Sequence, residues 1–300
     1  MNTIVMTGAS SGFGKIALAL ISAVQGNRVL LGTRSPVENN HVEIIQLDLA
    51  ILKSVRHFTD TVEEKLGSDQ INALVLNAGL SLPTDAMRTE DGMETTFQVN
   101  YLANYQIIRR LLPKLAVNST IILTTSGTYD PAEKTLIPPP LHANAQWLAH
   151  PELNPKRDEK PIIAGGRAYS ASKLCQILLA RALLEHESTK QRGIRVIAFD
   201  PGPTPGTNLV RAAAPIMRFI WWALSIPPLR YISPKMNSQA DAGRALFSLT
   251  SKNLPYANDQ LYLALRRGKI VFPELSALAR NKPLVDALWE QSANLLDNKP

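Results

Sequence analysis

Tyr169 and Lys173 lie four residues apart in the stretch Ala-Tyr-Ser-Ala-Ser-Lys, and their side chains could carry out acid–base chemistry. Residues four apart share one face of a helix, so a phenol and an ammonium group can lie side by side. An unperturbed tyrosine has a pKa of about 10, and a neighbouring cation favours its phenolate. The pair is therefore a candidate proton donor or acceptor. Because the same spacing also occurs on solvated helix faces, other motifs must decide between the two interpretations.

The elements that would position this pair follow from the alternation of apolar runs and amphipathic stretches. Strands are predicted at 3–6, 28–32, 42–47, 71–76, 120–125 and 194–199, and helices at 12–24, 51–66, 92–115 and 167–187. Strands that are apolar on both faces and separated by helices favour a parallel sheet covered on two sides. The sequence therefore predicts an α/β fold with a doubly wound parallel sheet and helices on both faces.

A glycine-rich segment, Thr-Gly-Ala-Ser-Ser-Gly-Phe-Gly at 7–14, follows the first predicted strand and opens the first helix. Glycines let the backbone approach a pyrophosphate, and a helix amino terminus offers N–H groups and positive dipole to it. A glycine motif between a strand and a helix is a strong indication of a Rossmann-type dinucleotide site. The predicted contacts of the cofactor in this segment are Gly8, Ser10, Ser11, Gly12, Phe13 and Gly14.

Arg34 lies at the end of the second predicted strand, in the sequence Gly-Thr-Arg. An acidic residue there would bind the adenosine ribose hydroxyls and favour NAD. A guanidinium group instead matches a 2′-phosphate. The sequence therefore favours NADP(H), although an arginine at this place is also common as a solvated loop residue.

Taken together, these motifs resemble the short-chain dehydrogenase/reductase family over essentially the full length of the chain. The segment 7–14 looks like the cofactor loop of that family, and Asn-Ala-Gly at 77–79 matches its element after the fourth strand. The positions that match the catalytic tetrad are Asn100, Ser126, Tyr169 and Lys173. Further cofactor contacts implied by the resemblance are Asp48, Leu49, Asn77, Ala78, Gly79, Tyr169, Lys173, Pro201, Gly202 and Thr204.

The resemblance implies a hydride transfer between the nicotinamide and a carbonyl carbon, with Tyr169 giving or taking the proton on oxygen. It implies that Lys173 binds the nicotinamide ribose and lowers the pKa of Tyr169. Ser126 would bind and orient the substrate oxygen. Asn100 would hold a water molecule in a proton relay. No metal ion takes part in the implied mechanism.

Two segments interrupt the alternation within what is predicted to be a single domain, 1–300. The first is a proline-rich inserted loop at 127–166, and a loop this long inside a compact domain is usually functional or disordered. The second, at 203–237, contains the apolar run 219–229. This flap is interpreted as a lid over an apolar pocket, as a membrane-contacting helix, or as a plain core helix. The first interpretation predicts a bulky apolar substrate.

Within the family, the segments 169–175, 215–232 and 284–296 are similar to protochlorophyllide reductases, and the first also to retinol dehydrogenase-like enzymes. Protochlorophyllide reductases usually place a cysteine directly after the Pro-Gly turn, whereas this chain has Pro203. The leading hypothesis is therefore an NADPH-dependent carbonyl reductase or alcohol dehydrogenase. A light-dependent double-bond reductase and a catalytically idle NADP-binding regulatory protein are the alternatives.

Composition limits the remaining classes of function. The 300 residues are 45% hydrophobic, with a formal net charge of +7, but the basic residues are scattered without an aromatic stripe, which disfavours nucleic-acid binding. The single cysteine, Cys175, cannot form an internal disulfide, and no Cys/His cluster has zinc-like spacing. A cytoplasmic location without a signal peptide is expected, and the run 219–229 is too short to span a bilayer. Monomer and homodimer both remain open.

Overall fold

The strands of the computed structural model form one mixed sheet. Residues 1–37, 39, 41–212, 215–226, 233, 235–251 and 260–297 are described. The strands are β1 Asn2–Thr7, β2 Asn27–Thr33, β3 Val42–Gln46, β4 Ile71–Leu76, β5 Leu115–Thr124, β6 Arg195–Asp200, β7 Tyr262–Arg266 and β8 Lys269–Val271. Their order in the sheet is β3-β2-β1-β4-β5-β6-β7-β8. The six predicted strands each overlap one of β1 to β6.

The order of the strands places a crevice at the carboxyl ends of β1 and β4. The chain builds outward from β1 to β3, then returns to the other side of β1 and continues from β4. In a doubly wound sheet, ligands bind at such a reversal, outside the carboxyl ends of the strands. Thr7 is paired with Leu76 in the register, so the loops that follow these two residues begin side by side.

Helices cover both faces of the sheet, as predicted. They are α1 Gly12–Ser22, α2 Leu52–Leu66, α3 Thr95–Phe97, α4 Ala103–Leu111, α5 Ala145–Ala149, α6 Pro161–Glu185, α7 Glu187–Gln191, α8 Pro215–Ala223, α9 Gln239–Leu249, α10 Ala277–Arg280 and α11 Lys282–Asp297. Alternate residues of β1 point to opposite faces: Val5 joins the core under α2, α4, α6 and α11, whereas Ile4 and Met6 join the core under α1 and α9.

The predicted parallel sheet is confirmed, but its last two strands were not predicted, and β8 adds an antiparallel edge. β1 to β7 are parallel, but β8 pairs with β7 in the antiparallel sense. The two strands are joined by a tight turn in which Arg267 and Gly268 have positive φ. Antiparallel neighbours can be joined by such a two-residue turn, whereas a parallel pair needs a longer crossover. An antiparallel edge strand on an otherwise parallel sheet is a common arrangement.

Two predicted helices have different boundaries in the structure. The helix expected at 92–115 begins at Thr95, because the Glu94 carboxylate accepts hydrogen bonds from the N–H groups of Thr96 and Phe97 at 2.9 and 2.6 Å. It contains a π-helical segment, Gln98–Leu102, before α4. The helix expected at 167–187 is longer at its start, since α6 begins at Pro161 and ends at Glu185. Proline is favoured in a first helical turn, where its missing N–H costs nothing.

The inserted loop predicted at 127–166 is therefore partly helical, and it is anchored to the body of the protein. Arg157 donates to both carboxylate oxygens of the buried Asp85 at 2.8 and 2.7 Å. Arg167 of α6 donates to Asp158 at 2.5 Å and to the carbonyl of Pro139 at 2.6 Å. These bonds tie the insertion to the helix that carries the predicted tyrosine and lysine.

Candidate active site

The glycine-rich loop packs directly against the Asn-Ala-Gly loop that follows β4. A Cβ atom on Gly8, which has a φ of +73°, would lie 2.3 Å from the backbone nitrogen of Ala78, and one on Gly14 would lie 2.0 Å from the carbonyl oxygen of Gly8. Only glycine fits at either position. Asn77 joins the two loops, because its Nδ2 donates to the Gly8 carbonyl at 2.6 Å and its Oδ1 accepts from the Thr124 hydroxyl at 2.9 Å.

The amino terminus of α1 has the properties of an anion site. Ser11 precedes the helix with an extended backbone and makes no side-chain capping bond, and no acidic residue lies in the first turn. The first N–H groups of a helix lack intrahelical partners and carry partial positive charge. Ser10 is exposed, Ser11, Gly12 and Phe13 are half-buried, and Phe13 packs against the core under α1. This terminus can hold a pyrophosphate.

Arg34 and Asp48 lie together at the carboxyl ends of β2 and β3. The Arg34 guanidinium is 3.8 Å from the Asp48 carboxylate, and the arginine side chain is 56% exposed. Asp48 Oδ1 also accepts the N–H of Ala50 at 2.9 Å, which fixes the turn that buries Leu49. The structure thus brings these three predicted adenosine contacts to the same edge of the sheet as the glycine-rich loop.

Tyr169 and Lys173 are adjacent on the inner face of α6, and both are 4% exposed. Lys173 Nζ lies 5.6 Å from the centroid of the tyrosine ring and donates to the carbonyl of Thr124 at 3.1 Å. Burial lowers the pKa of Lys173 to about 8, while the charge of Asp200 acts in the opposite direction. The amine therefore stays mostly protonated at neutral pH, but it loses its proton at a lower pH than an exposed lysine does.

Burial also has the largest effect on the pKa of the Tyr169 phenol. Its pKa is raised above the ordinary value, chiefly by desolvation, whereas a hydrogen bond with Ser126 lowers it and the charge of Asp200 raises it further. Lowering of this pKa by Lys173 requires the ammonium form, which burial disfavours. The predicted effect of Lys173 on Tyr169 therefore stays a prediction for the cofactor-bound protein, and Ser126 is the group whose contact acts in that direction here.

Asn100 lies in the middle of the π-helical segment and is completely buried. Its Oδ1 accepts the N–H of Leu80 at 2.8 Å, and its Nδ2 donates to the carbonyl of Leu80 at 2.9 Å and to the Ser172 hydroxyl at 3.0 Å. Its backbone carbonyl accepts from the side-chain amides of Asn104 and Gln176. Protein groups thus engage both side-chain atoms and the carbonyl of Asn100, and its predicted role in holding a water of a proton relay stays a prediction.

Gly79 shows how close these groups are to the nucleotide loops. A Cβ atom on Gly79 would lie 3.3 Å from Asn100 Oδ1 and 3.4 Å from Lys173 Nζ. Ala78 is half-buried and Gly79 is exposed. The loop after β4 is therefore in contact with the glycine-rich loop on one side and with Asn100 and Lys173 on the other, which brings the predicted phosphate and catalytic groups into one continuous site.

The turn after β6 closes the other side of the site. Gly202 has a φ of +66°, and a Cβ atom there would lie 2.7 Å from the carbonyl oxygen of Lys235. Asn237 Nδ2 donates to the carbonyl of Pro201 at 2.9 Å. The Thr204 hydroxyl is directed back to the Gly202 carbonyl at 3.0 Å. This turn is thus held against the segment that leads into α9.

The predicted flap at 203–237 begins over the glycine-rich loop. A Cβ atom on Gly12 would lie 3.3 Å from the methyl carbon of Thr207, so this segment covers the amino terminus of α1. The flap contains α8, in which no residue is buried. Part of the flap, including the end of the run 219–229, lies outside the described residues. The positions concerned are 213–214, 227–232 and 234. No described helix is long and apolar enough to cross a membrane.

A buried charge network beneath the turn was missed by sequence reasoning. Asp200 is 1% exposed, and its Oδ2 lies 2.9 Å from the Arg266 guanidinium and accepts from the Tyr262 hydroxyl at 3.2 Å. Glu133 bridges Arg266 at 3.2 Å and Lys235 at 2.5 Å. The network connects the loop after Ser126, the turn after β6 and the flap. An aspartate directly before Pro-Gly at a strand end was the available indication, but Arg266 belongs to a strand that was not predicted.

The geometry of this site defines a class of protein. A doubly wound sheet presents a glycine-rich loop, a helix terminus suited to phosphate and a buried tyrosine–lysine pair at the carboxyl ends of its strands. This combination belongs to dinucleotide-binding oxidoreductases of the Rossmann type.

The comparisons with known proteins agree. The family model for short chain dehydrogenases matches residues 2–131. The WW domain-containing oxidoreductase of Homo sapiens is 29% identical over 239 residues, covering 74% of this chain and 52% of that protein. The protochlorophyllide reductase of Chlamydomonas reinhardtii is 29% identical over 273 residues, covering 83% of this chain and 66% of that protein. The chain spans about half the length of the WW domain-containing oxidoreductases that it matches.

Solved structures share the fold. The NADPH-bound carbonyl reductase from chicken fatty liver superposes with a TM-score of 0.61 at 16% identity, covering 88% of this chain and 91% of that one. In sequence over residues 2–131, and in its fold, the chain is similar to the short-chain dehydrogenases.

Proposed function

We propose that the protein is an NADP(H)-dependent oxidoreductase that moves a hydride to or from the carbonyl or alcohol carbon of a bulky apolar substrate. The observation that carries the proposal is the convergence of Tyr169, Lys173 and Ser126 beside the loop that follows β4. The class of enzyme is supported by the family, and the choice of cofactor, the substrate and the proton donor are inferred from the site.

The residues present fit the cofactor. Gly8 and Gly14 let the glycine-rich loop pack tightly against the loop after β4, and the start of α1 offers N–H groups without an opposing carboxylate. Arg34 has five N–H donors, so its long contact with Asp48 leaves capacity for a 2′-phosphate. Lys173 and Asn77 lie where the nicotinamide half would rest. The bound nicotinamide would supply the hydride.

The chain itself would bind and orient the substrate oxygen and move one proton. Ser126 is half-buried at the end of β5 and would donate its hydroxyl to the substrate oxygen. Tyr169 would transfer its phenolic proton to that oxygen in reduction and recover it in oxidation. Lys173 would bind ribose hydroxyls and, when protonated, stabilise the phenolate left behind. Such proton transfer by a positioned side chain accelerates reactions by about 10²- to 10⁴-fold.

The apolar character of the substrate is inferred from the flap. α8 carries Ile216, Phe219 and Trp222 and follows the segment that covers the glycine-rich loop. A lid of this composition would exclude water from the site and contact apolar groups of a substrate. The anchored insertion would form the opposite wall, because it is tied to α6 close to Tyr169.

The test is Tyr169→Phe, assayed by NADPH oxidation with a panel of aldehydes, ketones and quinones. We expect kcat to fall by about 10²- to 10⁴-fold, with the dissociation constant of NADPH changed less than about threefold, because the phenol does not contact the phosphates. Tyr105→Phe is the matched control and should leave kcat unchanged, since the Tyr105 hydroxyl donates to the Trp289 carbonyl of α11. Full activity of Tyr169→Phe would refute the proposed proton donor.

A second candidate is light-dependent reduction of a pigment double bond, which the similarity to protochlorophyllide reductases favours. Pro203 speaks against it, because a proline lacks the thiol that those enzymes usually carry after the Pro-Gly turn. Turnover of a carbonyl substrate in darkness would separate the two candidates. A catalytically idle NADP-binding regulatory protein, the third alternative, would bind NADPH without oxidising it in the presence of any member of the panel.

A further inference from the structure

The helix α8 is the most exposed apolar element of the described chain. None of its nine residues is buried. Ile216 is 64% exposed, Met217 51%, Phe219 60%, Ile220 44% and Trp222 55%. At about 100° per residue, these five side chains cover an arc of roughly 220° around the helix axis. A helix that covers only a substrate pocket would hide most of such an arc, so much of its apolar surface has no partner within the described chain.

The clustering distinguishes this helix from ordinary surface leucines and valines. Seventeen large apolar side chains are exposed among the described residues, and six of them fall within 216–226. The other eleven are spread over the remainder of the described chain. Scattered exposed apolar residues need no explanation, whereas a contiguous patch marks an interaction surface. Phe219 and Trp222 also contact each other in a tilted arrangement, with ring centroids 5.7 Å apart, which keeps both rings on the same side.

The charge around the helix identifies the kind of partner. The forty residues from 201 to 240 contain no aspartate or glutamate, and their charged side chains are Arg211, Arg218, Arg230 and Lys235. Arg211 and Arg218 are exposed. An exposed apolar helix that carries aromatic rings and is flanked only by basic residues matches the interface of an anionic bilayer. A second copy of this chain fits poorly, because a symmetric contact would oppose the same basic residues on both subunits.

We propose that α8 and its basic flanks form a docking surface for anionic lipid membranes. The apolar arc would enter the boundary between head groups and acyl chains, and Arg211 and Arg218 would bind the lipid phosphates. The proposal does not depend on the catalytic function. The docked face would lie beside the segment that covers the glycine-rich loop, since Gly206 packs against Ser225 directly after α8, where a Cβ atom would approach the Ser225 Cβ to 3.2 Å.

The test is co-sedimentation of the full chain with phosphatidylcholine vesicles that contain or lack phosphatidylglycerol. We expect binding to the anionic vesicles, much weaker binding to neutral ones, and release by salt, because the electrostatic part is screened. Phe219→Ser with Trp222→Ser should weaken binding to anionic vesicles at least tenfold. Arg211→Gln with Arg218→Gln should also weaken it about tenfold or more.

Matched control variants remove exposed apolar or basic side chains at positions outside α8. Leu136→Ser with Leu153→Ser deletes two exposed apolar side chains, 102% and 55% exposed, and Lys53→Gln with Arg56→Gln deletes two exposed basic ones. Neither pair should change vesicle binding by more than about twofold. Equal losses in the control and test variants would overturn the proposal, as would wild-type protein that stays in the supernatant with anionic vesicles at low salt.

Two further measurements test the proposed docking even if one of the variants is unstable. Tryptophan emission of the wild-type protein should shift to shorter wavelength on addition of anionic vesicles, because Trp222 would leave water; an unchanged spectrum would contradict docking through α8. Light scattering without lipid should give the same molar mass for wild type and for Phe219→Ser with Trp222→Ser. A lower mass for the variant would assign the surface to a second copy of the chain and overturn the lipid proposal.

Discussion

The part of the molecule formed by β1 to β4 and the glycine-rich loop, called the cofactor half here, and the flap at 203–237 both contain apolar segments. The apolar segments are buried in the cofactor half and exposed in the flap. In β1 and β4, residues such as Val5 and Leu74 are completely buried, because strands on both sides and helices on both faces cover them. In α8, an equally apolar sequence has no buried residue. Hydrophobicity alone therefore does not decide what is core. Whether an apolar segment becomes part of the core depends on the elements that pack around it. The flap lacks such neighbours among the described residues, so its apolar atoms stay available for a ligand or a membrane.

The largest expected effect tests how rigid the cofactor half is compared with the flap. Gly8 and Gly206 both have positive φ, but a Cβ atom would meet backbone at 2.3 Å in the first case and the ends of side chains, from 2.9 Å, in the second. We expect Gly8→Ala to lose several kcal/mol of the free energy of unfolding, or to fail to fold. Gly206→Ala should lose about 1–2 kcal/mol, because backbone strain is its main penalty.

Urea unfolding measures both losses, and Gly26→Ala is the control for strain alone, since its φ is +86° and nothing lies within 4 Å of the added atom. The NADPH affinity of any folded Gly8→Ala protein should also fall. If the three variants lost equal stability, the backbone contact between the glycine-rich loop and Ala78 would have no energetic role, and the contrast between the two regions would fail.

An intermediate effect is expected for cofactor choice, which the cofactor half alone should determine. Arg34→Ser removes the guanidinium proposed to bind the 2′-phosphate, and a hydrogen bond to a charged group contributes about 1.5–3 kcal/mol. We expect the KM for NADPH to rise about 10- to 100-fold while the KM for NADH changes little. Arg218→Ser, an equal loss of charge in the flap, should leave the ratio of the two KM values unchanged. Equal changes for both cofactors would reject the assignment of NADP(H).

The same contrast explains what the sequence could predict. Six strands and the glycine-rich segment follow from local patterns, because each depends on neighbours in the chain. The tetrad positions come from the resemblance to a family, and their catalytic roles stay predictions. The network of Asp200, Glu133 and Arg266 depends on a proline-rich insertion and on a late strand meeting in space, and no local pattern encodes that contact. The burial of Lys173 could likewise not be read from its spacing to Tyr169.

Lys173, like Asp200, is a charged side chain that lies buried among the packed strands and helices. Its pKa is lowered by burial to about 8 from 10.5. Between these two values the unfolded chain binds the extra proton and the folded chain does not, so this residue makes stability rise with pH across that window. Below pH 8 the full cost of burying the ammonium group is present.

The smallest expected effect is therefore a gain of stability in Lys173→Met. At pH 7 the variant should be more stable by about 1 kcal/mol, because the cost of burying charge exceeds the lost hydrogen bond to the Thr124 carbonyl. That advantage should shrink or reverse by pH 10, where the wild-type amine is largely neutral in the folded state. Lys53→Met, an exposed control on α2, should show no such dependence on pH. A variant that is less stable than wild type by the same amount at both pH values would contradict this prediction. It would mean that the surrounding groups stabilise the buried ammonium group and that its burial costs no stability.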